Sequence, residues 1–112
     1  MSAVPEIGPE DAERQRVEGA RLLDVRTSEE WNAGHVADSV WIPITELPDR
    51  IEELDDDEPV VVVCRTGARS AAATAALLRA GYDAVNLAGG LQAWAAAGQP
   101  VVTTAGSPGT VA

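Results

Sequence analysis

The stretch Val60-Val61-Val62-Val63-Cys64-Arg65-Thr66-Gly67-Ala68-Arg69-Ser70 joins four consecutive β-branched residues to a short polar loop. An unbroken β-branched run is the pattern of a parallel strand covered on both faces. Cys64 stands at its carboxyl end. From Ala68 to Ala80 the residues are nearly all strong helix formers, with Leu77 and Leu78 apolar and Gly81 as the stop. In open parallel sheets, ligands bind beyond the carboxyl ends of strands, where Cys64 lies. The loop feeds a helix N-terminus, whose free N–H groups and dipole favour an anion. Gly67 lacks a Cβ, so the loop can curl with its N–H groups facing inward.

A thiolate would sit at the centre of that loop. A free thiol titrates near pH 8.5, roughly. A helix terminus supplies about 1–2 kcal/mol toward the charged form, and charge-assisted N–H bonds about 1.5–3 kcal/mol each, with burial opposing both. Cys64 is therefore expected to be substantially thiolate at neutral pH, and so a nucleophile. The usual fate of a lone cysteine is a small buried hydrophobe. The strand-end position, Gly67 and the flanking Arg65 and Arg69 favour the reactive reading.

Working outward, Pro9, Glu10 and Asp11 open a helix over 9–18 that Gly19 ends. Leu22 to Val25 reads as a short buried strand. Ser28 caps a helical turn that stops at Gly34, and Val40-Trp41-Ile42 reads as another strand closed by Pro43. Ile51 and Leu54 give one apolar stripe to a short helix over 48–54, before the solvated acidic run Asp55 to Glu58. A strand over 84–87, a Gly89-Gly90 turn and a short helix around Trp94 follow. Alternation of strands and helices along the chain predicts one α/β domain, with a mostly parallel central sheet of about five strands flanked by helices. The domain is expected over 1–102. Residues 103–112 are read as a disordered tail whose removal changes nothing, because turn formers dominate and nothing is there to bury.

The 112 residues contain 8 Arg and no Lys against 18 Asp plus Glu, a formal charge of -10. That length fits one domain. The charge argues against nucleic acid or an anionic membrane as partner. No run approaches the roughly 18 apolar residues that span a bilayer. A single Cys excludes an internal disulfide and a single His excludes zinc-finger spacing. The N-terminus has neither a basic nor an apolar secretory region, so a reducing cytoplasm is the expected location.

The sequence resembles the rhodanese family of sulfurtransferases from about Ile7 to Val102. Leu22-Leu23-Asp24-Val25-Arg26 is similar to the family's opening strand motif, and Glu30-Trp31 with Gly34-His35-Val36 to the aromatic and Gly-His pair after it. Ile42-Pro43, Cys64 to Ser70, and Leu87-Ala88-Gly89-Gly90 with Trp94 and Gly98 follow in order. Departures fall at Asp38, Ser39 and Trp41, where the family usually has Gly, Ala and Asn. The resemblance implies a ping-pong transfer without cofactor or metal. Cys64 would take a sulfane sulfur from a small anionic donor such as thiosulfate, and pass it to cyanide, a thiol or a protein acceptor. Backbone N–H groups of Arg65, Thr66, Gly67, Ala68, Arg69 and Ser70 would cradle the persulfide, and the two arginines would attract the donor.

Each remaining candidate has a plainer reading beside the functional one. Arg69 could line the anion site or form a structural ion pair; Arg65, next to the nucleophile, leans toward the site. His35 reads as a hydrogen-bonding residue of its turn rather than a general base. Asp24 and Arg26 read as fixing the first strand and the neighbouring cap. Trp31 and Trp94 read as core, and Ser70 as either helix cap or sulfur ligand. The rival enzyme is a phosphatase or arsenate reductase of related fold. Such enzymes generally place five residues between Cys and Arg, whereas four separate Cys64 from Arg69 here. The non-enzymatic rival is a rhodanese-like binding or sulfur-relay module.

Overall fold

The computed structural model describes residues 4–112; the start of the domain expected over 1–102 lies outside them. Five parallel strands form one sheet: β1 (Glu6–Ile7), β2 (Arg21–Asp24), β3 (Val40–Trp41), β4 (Val60–Val63) and β5 (Ala84–Leu87), in the spatial order β1-β5-β4-β2-β3. Helices α1 (Pro9–Val17), α2 (Ser28–Ala33), α3 (Leu47–Arg50) and α4 (Ala68–Arg79) connect them, and α5 (Gly90–Ala96) follows the last strand. The expected fold class is therefore the observed one. From β2 the chain goes to β3 on one side and then returns to β4 on the other. The carboxyl ends of β2 and β4 flank that reversal, the place where open parallel sheets bind ligands.

The valine run explains the centre of the molecule. Val60, Val62 and Cys64 pack with Leu23, Ile42, Leu47, Ala73 and Leu77 on the α3–α4 face. Val61 and Val63 pack with Ala12, Leu22, Leu87, Leu91 and Trp94 on the α1–α5 face. A strand with period-two side chains needs β-branched residues at every position only when both faces are covered. Cys64 is thus held on its floor by the core. Between β3 and β4 the single helix expected over 48–54 is instead α3 flanked by 3₁₀ turns at Ile44–Glu46 and Ile51–Glu53. Asp38 adopts a left-handed φ of 65°, a conformation that Asp tolerates better than most side chains. This is the position where the resembling family usually has Gly.

The segment 103–112 departs from the expected disorder. Just before it His35 and Val102 exchange backbone hydrogen bonds at 2.9 and 2.8 Å; within it Gly109 N–H donates to Val101 O and Thr110 N–H to Ala33 O, each at 2.9 Å. Val111 packs against the α1–α5 core. Gly34 and Gly109 make this strap possible: a Cβ on Gly34 would lie 2.5 Å from Thr110 O, and one on Gly109 would lie 2.7 Å from Gly34 Cα. Backbone hydrogen bonds and close glycine packing hold the strap, and neither leaves an apolar period in the sequence. Deletion of residues 103–112 is accordingly expected to lower stability by about 1–3 kcal/mol, read as a lower urea midpoint.

Candidate active site

The β4–α4 loop wraps the Cys64 sulfur in donors. Gly67 N–H donates to Sγ at 3.1 Å, Ser70 Oγ at 3.2 Å and Ser70 N–H at 3.4 Å. Gly67 makes the turn at a φ of 103°, a region that glycine occupies without penalty. Burial pushes the Cys64 thiol up, but the Ser70 hydroxyl and the amides of Ser70, Gly67 and Thr66 together outweigh it and hold the thiol below its ordinary value. The sulfur is buried, at 1% exposure of the residue. Hydrogen bonds rather than solvent would therefore stabilise a thiolate there.

The amides can face inward because other groups take the loop's carbonyls. Leu91 N–H donates to Cys64 O at 2.8 Å and Gln92 N–H to Arg65 O at 3.0 Å. Asn86 Nδ2 donates to Gly67 O at 3.0 Å. A planar peptide with its C=O bonded on one side presents its N–H on the other. The start of α5 and the middle of β5 thus act as a backing plate for the loop. Gly90 permits the close approach, since a Cβ there would lie 2.5 Å from Arg65 O and 2.6 Å from Cys64 O.

The two arginines separate. Arg69 forks onto Glu30, with Nη1 to Oε1 and Nη2 to Oε2 both at 2.7 Å. Of its two readings the structure selects the ion pair. Arg65 is exposed and its Nε donates to the Ala112 carbonyl at 2.9 Å. The amide orientation that satisfies both groups also turns Gln92 Oε1 toward Arg65 Nη2 at 3.0 Å. Arg65 therefore stands at the rim, tied to the strap and to α5. Ser70 meets the sulfur with both its hydroxyl and its amide.

Glu30 also organises α2. The helix is capped by Thr27, not Ser28, through a capping box: Glu30 N–H donates to Thr27 Oγ1 and Thr27 N–H to Glu30 Oε1. The Arg69 fork, with the Thr27 bonds, holds the Glu30 carboxyl at about 2 against its ordinary 4.5. A depressed carboxylate stabilises the fold above its unfolded pKa, and that stability is lost as pH falls through the folded value. The difference in stability between wild type and Glu30→Gln is expected to be constant above pH 4.5 and to shrink toward pH 2. Its size at neutral pH is about 1–2 kcal/mol once solvent screening of the partly exposed Arg69 is allowed for. Urea unfolding at several pH values measures it.

The remaining candidates take structural positions. Arg26 is fully buried with Asp24; its Nη2 donates to Asp24 Oδ2 at 2.7 Å and to Gly34 O at 2.8 Å, binding β2 to the end of α2. His35 Nδ1 pairs with Trp31 O at 2.9 Å, and its ring stacks on Trp31 at 3.6 Å. Trp41 stacks on the other indole at 5.5 Å and donates Nε1–H to Arg26 O. Trp94 is core, at 1% exposure, but Trp31 is only half-buried. Sequence reasoning missed Asn86, Gln92 and the identity of Glu30 as the partner of Arg69. Only Asn86 left a signal, a polar residue inside the apolar strand Ala84–Leu87.

The family model for the rhodanese-like domain matches residues 9–97, which include Cys64, the β4–α4 loop, Glu30, Asn86 and Gln92. The chain belongs to the rhodanese family. Among rhodanese relatives, a protein named sulfurtransferase from Allochromatium vinosum is 42% identical over 90 residues, covering 80% of this chain and 84% of its own. A thiosulfate sulfurtransferase GlpE from Pseudomonas syringae is 38% identical over 95 residues, covering 84% and 90% respectively. In structure, a rhodanese-related protein from Thermoplasma volcanium superposes with a TM-score of 0.83 at 37% identity, covering 88% of this chain and 97% of its own. These rhodanese relatives support sulfurtransferase activity for the chain. Among the described residues no helix is long and apolar enough to cross a membrane.

Proposed function

We propose that the chain transfers a sulfane sulfur from thiosulfate to a thiophilic acceptor through a persulfide on Cys64. The observation that carries this reading is the ring of donors on Sγ from Gly67 and Ser70. The thiolate attacks the outer sulfur of thiosulfate; a new S–S bond forms, the old one breaks, and sulfite leaves with the bonding electron pair. Cyanide, a thiol or a protein thiolate then attacks the outer sulfur, and the electron pair of the Cys64 S–S bond returns to Sγ. With one Cys in the chain, discharge is to an external acceptor. The loop amides from Arg65 to Ser70 cradle the outer sulfur, and the Arg65 side chain at the rim meets the incoming dianion. A reducing compartment such as the cytoplasm suits a thiol that must stay free.

Phosphate chemistry is the less well supported reading, because both arms of the Arg69 fork are occupied by Glu30. An oxyanion would have to displace a carboxylate to reach them. The test is turnover: wild type is expected to form thiocyanate from thiosulfate and cyanide, and to leave an aryl phosphate untouched above a Cys64→Ser control. Cys64-dependent phosphatase activity exceeding sulfur transfer would overturn the proposal.

A further inference from the structure

Among the described residues, one buried side-chain polar atom has no hydrogen-bond partner: Asn86 Oδ1. Asn86 is fully buried in β5, paired with Glu6 on β1 and Val62 on β4. An amide in that position is costly unless its donors and acceptors are used. Its Nδ2 uses both hydrogens, one on Glu6 Oε2 at 2.9 Å and one on Gly67 O at 3.0 Å. The residue is thus retained for its donors, with the unpartnered Oδ1 as the consequence.

The Gly67 carbonyl has a second donor, Ala71 N–H in the first turn of α4, at 3.1 Å. Glycine's backbone is permissive, so something outside the residue must select the φ of 103° from which its N–H meets Sγ. Asn86 is the side chain that reaches it from the sheet. The two ends of an amide are nearly the same shape, and Glu6 distinguishes them, because a carboxylate accepts and cannot donate. With Nδ2 drawn to Glu6, the second hydrogen is directed at Gly67 O.

We propose that Asn86 is a positioning residue for the reaction of Cys64: its amide, oriented by Glu6, holds the Gly67 carbonyl and so selects the loop conformation in which the Gly67 and Ser70 donors point at sulfur. The inference deepens the sulfur-transfer reading and rests on Cys64 being its nucleophile. Asn86→Ser shortens the side chain and removes the bond to Gly67 O. Asn86→Asp keeps the shape but sets an acceptor against the Gly67 carbonyl and the Glu6 carboxylate. Glu6→Ala leaves the amide in place without its orienting partner, at an exposed edge position.

The experiment measures the rate of Cys64 alkylation by iodoacetamide against pH, with kcat/KM for thiosulfate and Tm on the same samples. Asn86→Ser is expected to move the alkylation midpoint up by about one pH unit and lower kcat/KM about tenfold. Asn86→Asp moves both further, and Glu6→Ala less but in the same direction. A lowered Tm with the midpoint and kcat/KM of wild type in Asn86→Ser would make Asn86 merely structural and overturn the proposal. If neither variant at position 86 folds, Glu6→Ala decides: an unshifted midpoint contradicts the orienting role. Alkylation needs no sulfur donor. A wild type that forms no thiocyanate would therefore overturn the proposed function while leaving this comparison readable.

Discussion

Cys64→Ser is expected to lower kcat/KM for sulfur transfer from thiosulfate to cyanide by at least about three orders of magnitude. Serine nearly matches cysteine in volume, so the packing of position 64 on the α3–α4 core and the Ser70 contact survive. Its hydroxyl stays protonated under the same loop amides that favour a thiolate. No second Cys exists in the chain to take over. Tm should stay within a few degrees of wild type, which separates loss of chemistry from loss of fold. Thiocyanate formation above a tenth of the wild-type rate in a folded Cys64→Ser protein would place the nucleophile elsewhere.

Gly90→Ala carries the largest expected stability effect. A Cβ at this position would lie 2.5 Å from Arg65 O and 2.6 Å from both Arg65 C and Cys64 O, and φ is +61°. All three atoms are backbone, so no side chain can rotate away. The start of α5 must retreat from the loop, and with it the Leu91 and Gln92 amides that hold the Cys64 and Arg65 carbonyls. The cost is expected to be about 3–5 kcal/mol. Gly98→Ala is the control, with a φ of +83° but open space around it; backbone strain alone should cost it about 1 kcal/mol. Urea unfolding of the two variants measures the difference. Equal midpoints would mean that the close approach of α5 to the loop is dispensable.

The parts of the molecule legible in the sequence are those in which neighbours along the chain are also neighbours in space. Val60–Val63, the loop and α4 form one continuous segment, so the strand, the nucleophile, Gly67 and Ser70 could be read together. Strand β1 could not, since Glu6 and Ile7 are too few to show a period and are a strand only by pairing with Asn86 and Leu87. The strap over 103–112 escaped for a related reason: its partners Ala33 and Gly34 lie far away in sequence. Within the site, Arg69 carried two open readings because Glu30, which decides between them, stands 39 residues earlier. The backing plate of Asn86, Leu91 and Gln92 consists mostly of backbone amides, which every residue but proline possesses.

The central claim is that the donors from Gly67 and Ser70 hold Cys64 in the state that accepts a sulfur atom. Intact mass spectrometry after exposure to thiosulfate tests it most directly. The account predicts a gain of about 32 Da, one sulfur atom, on the intact protein, removed by cyanide and absent from Cys64→Ser. A wild-type protein that gains no sulfur, or a Cys64→Ser protein that still gains it, would contradict the account.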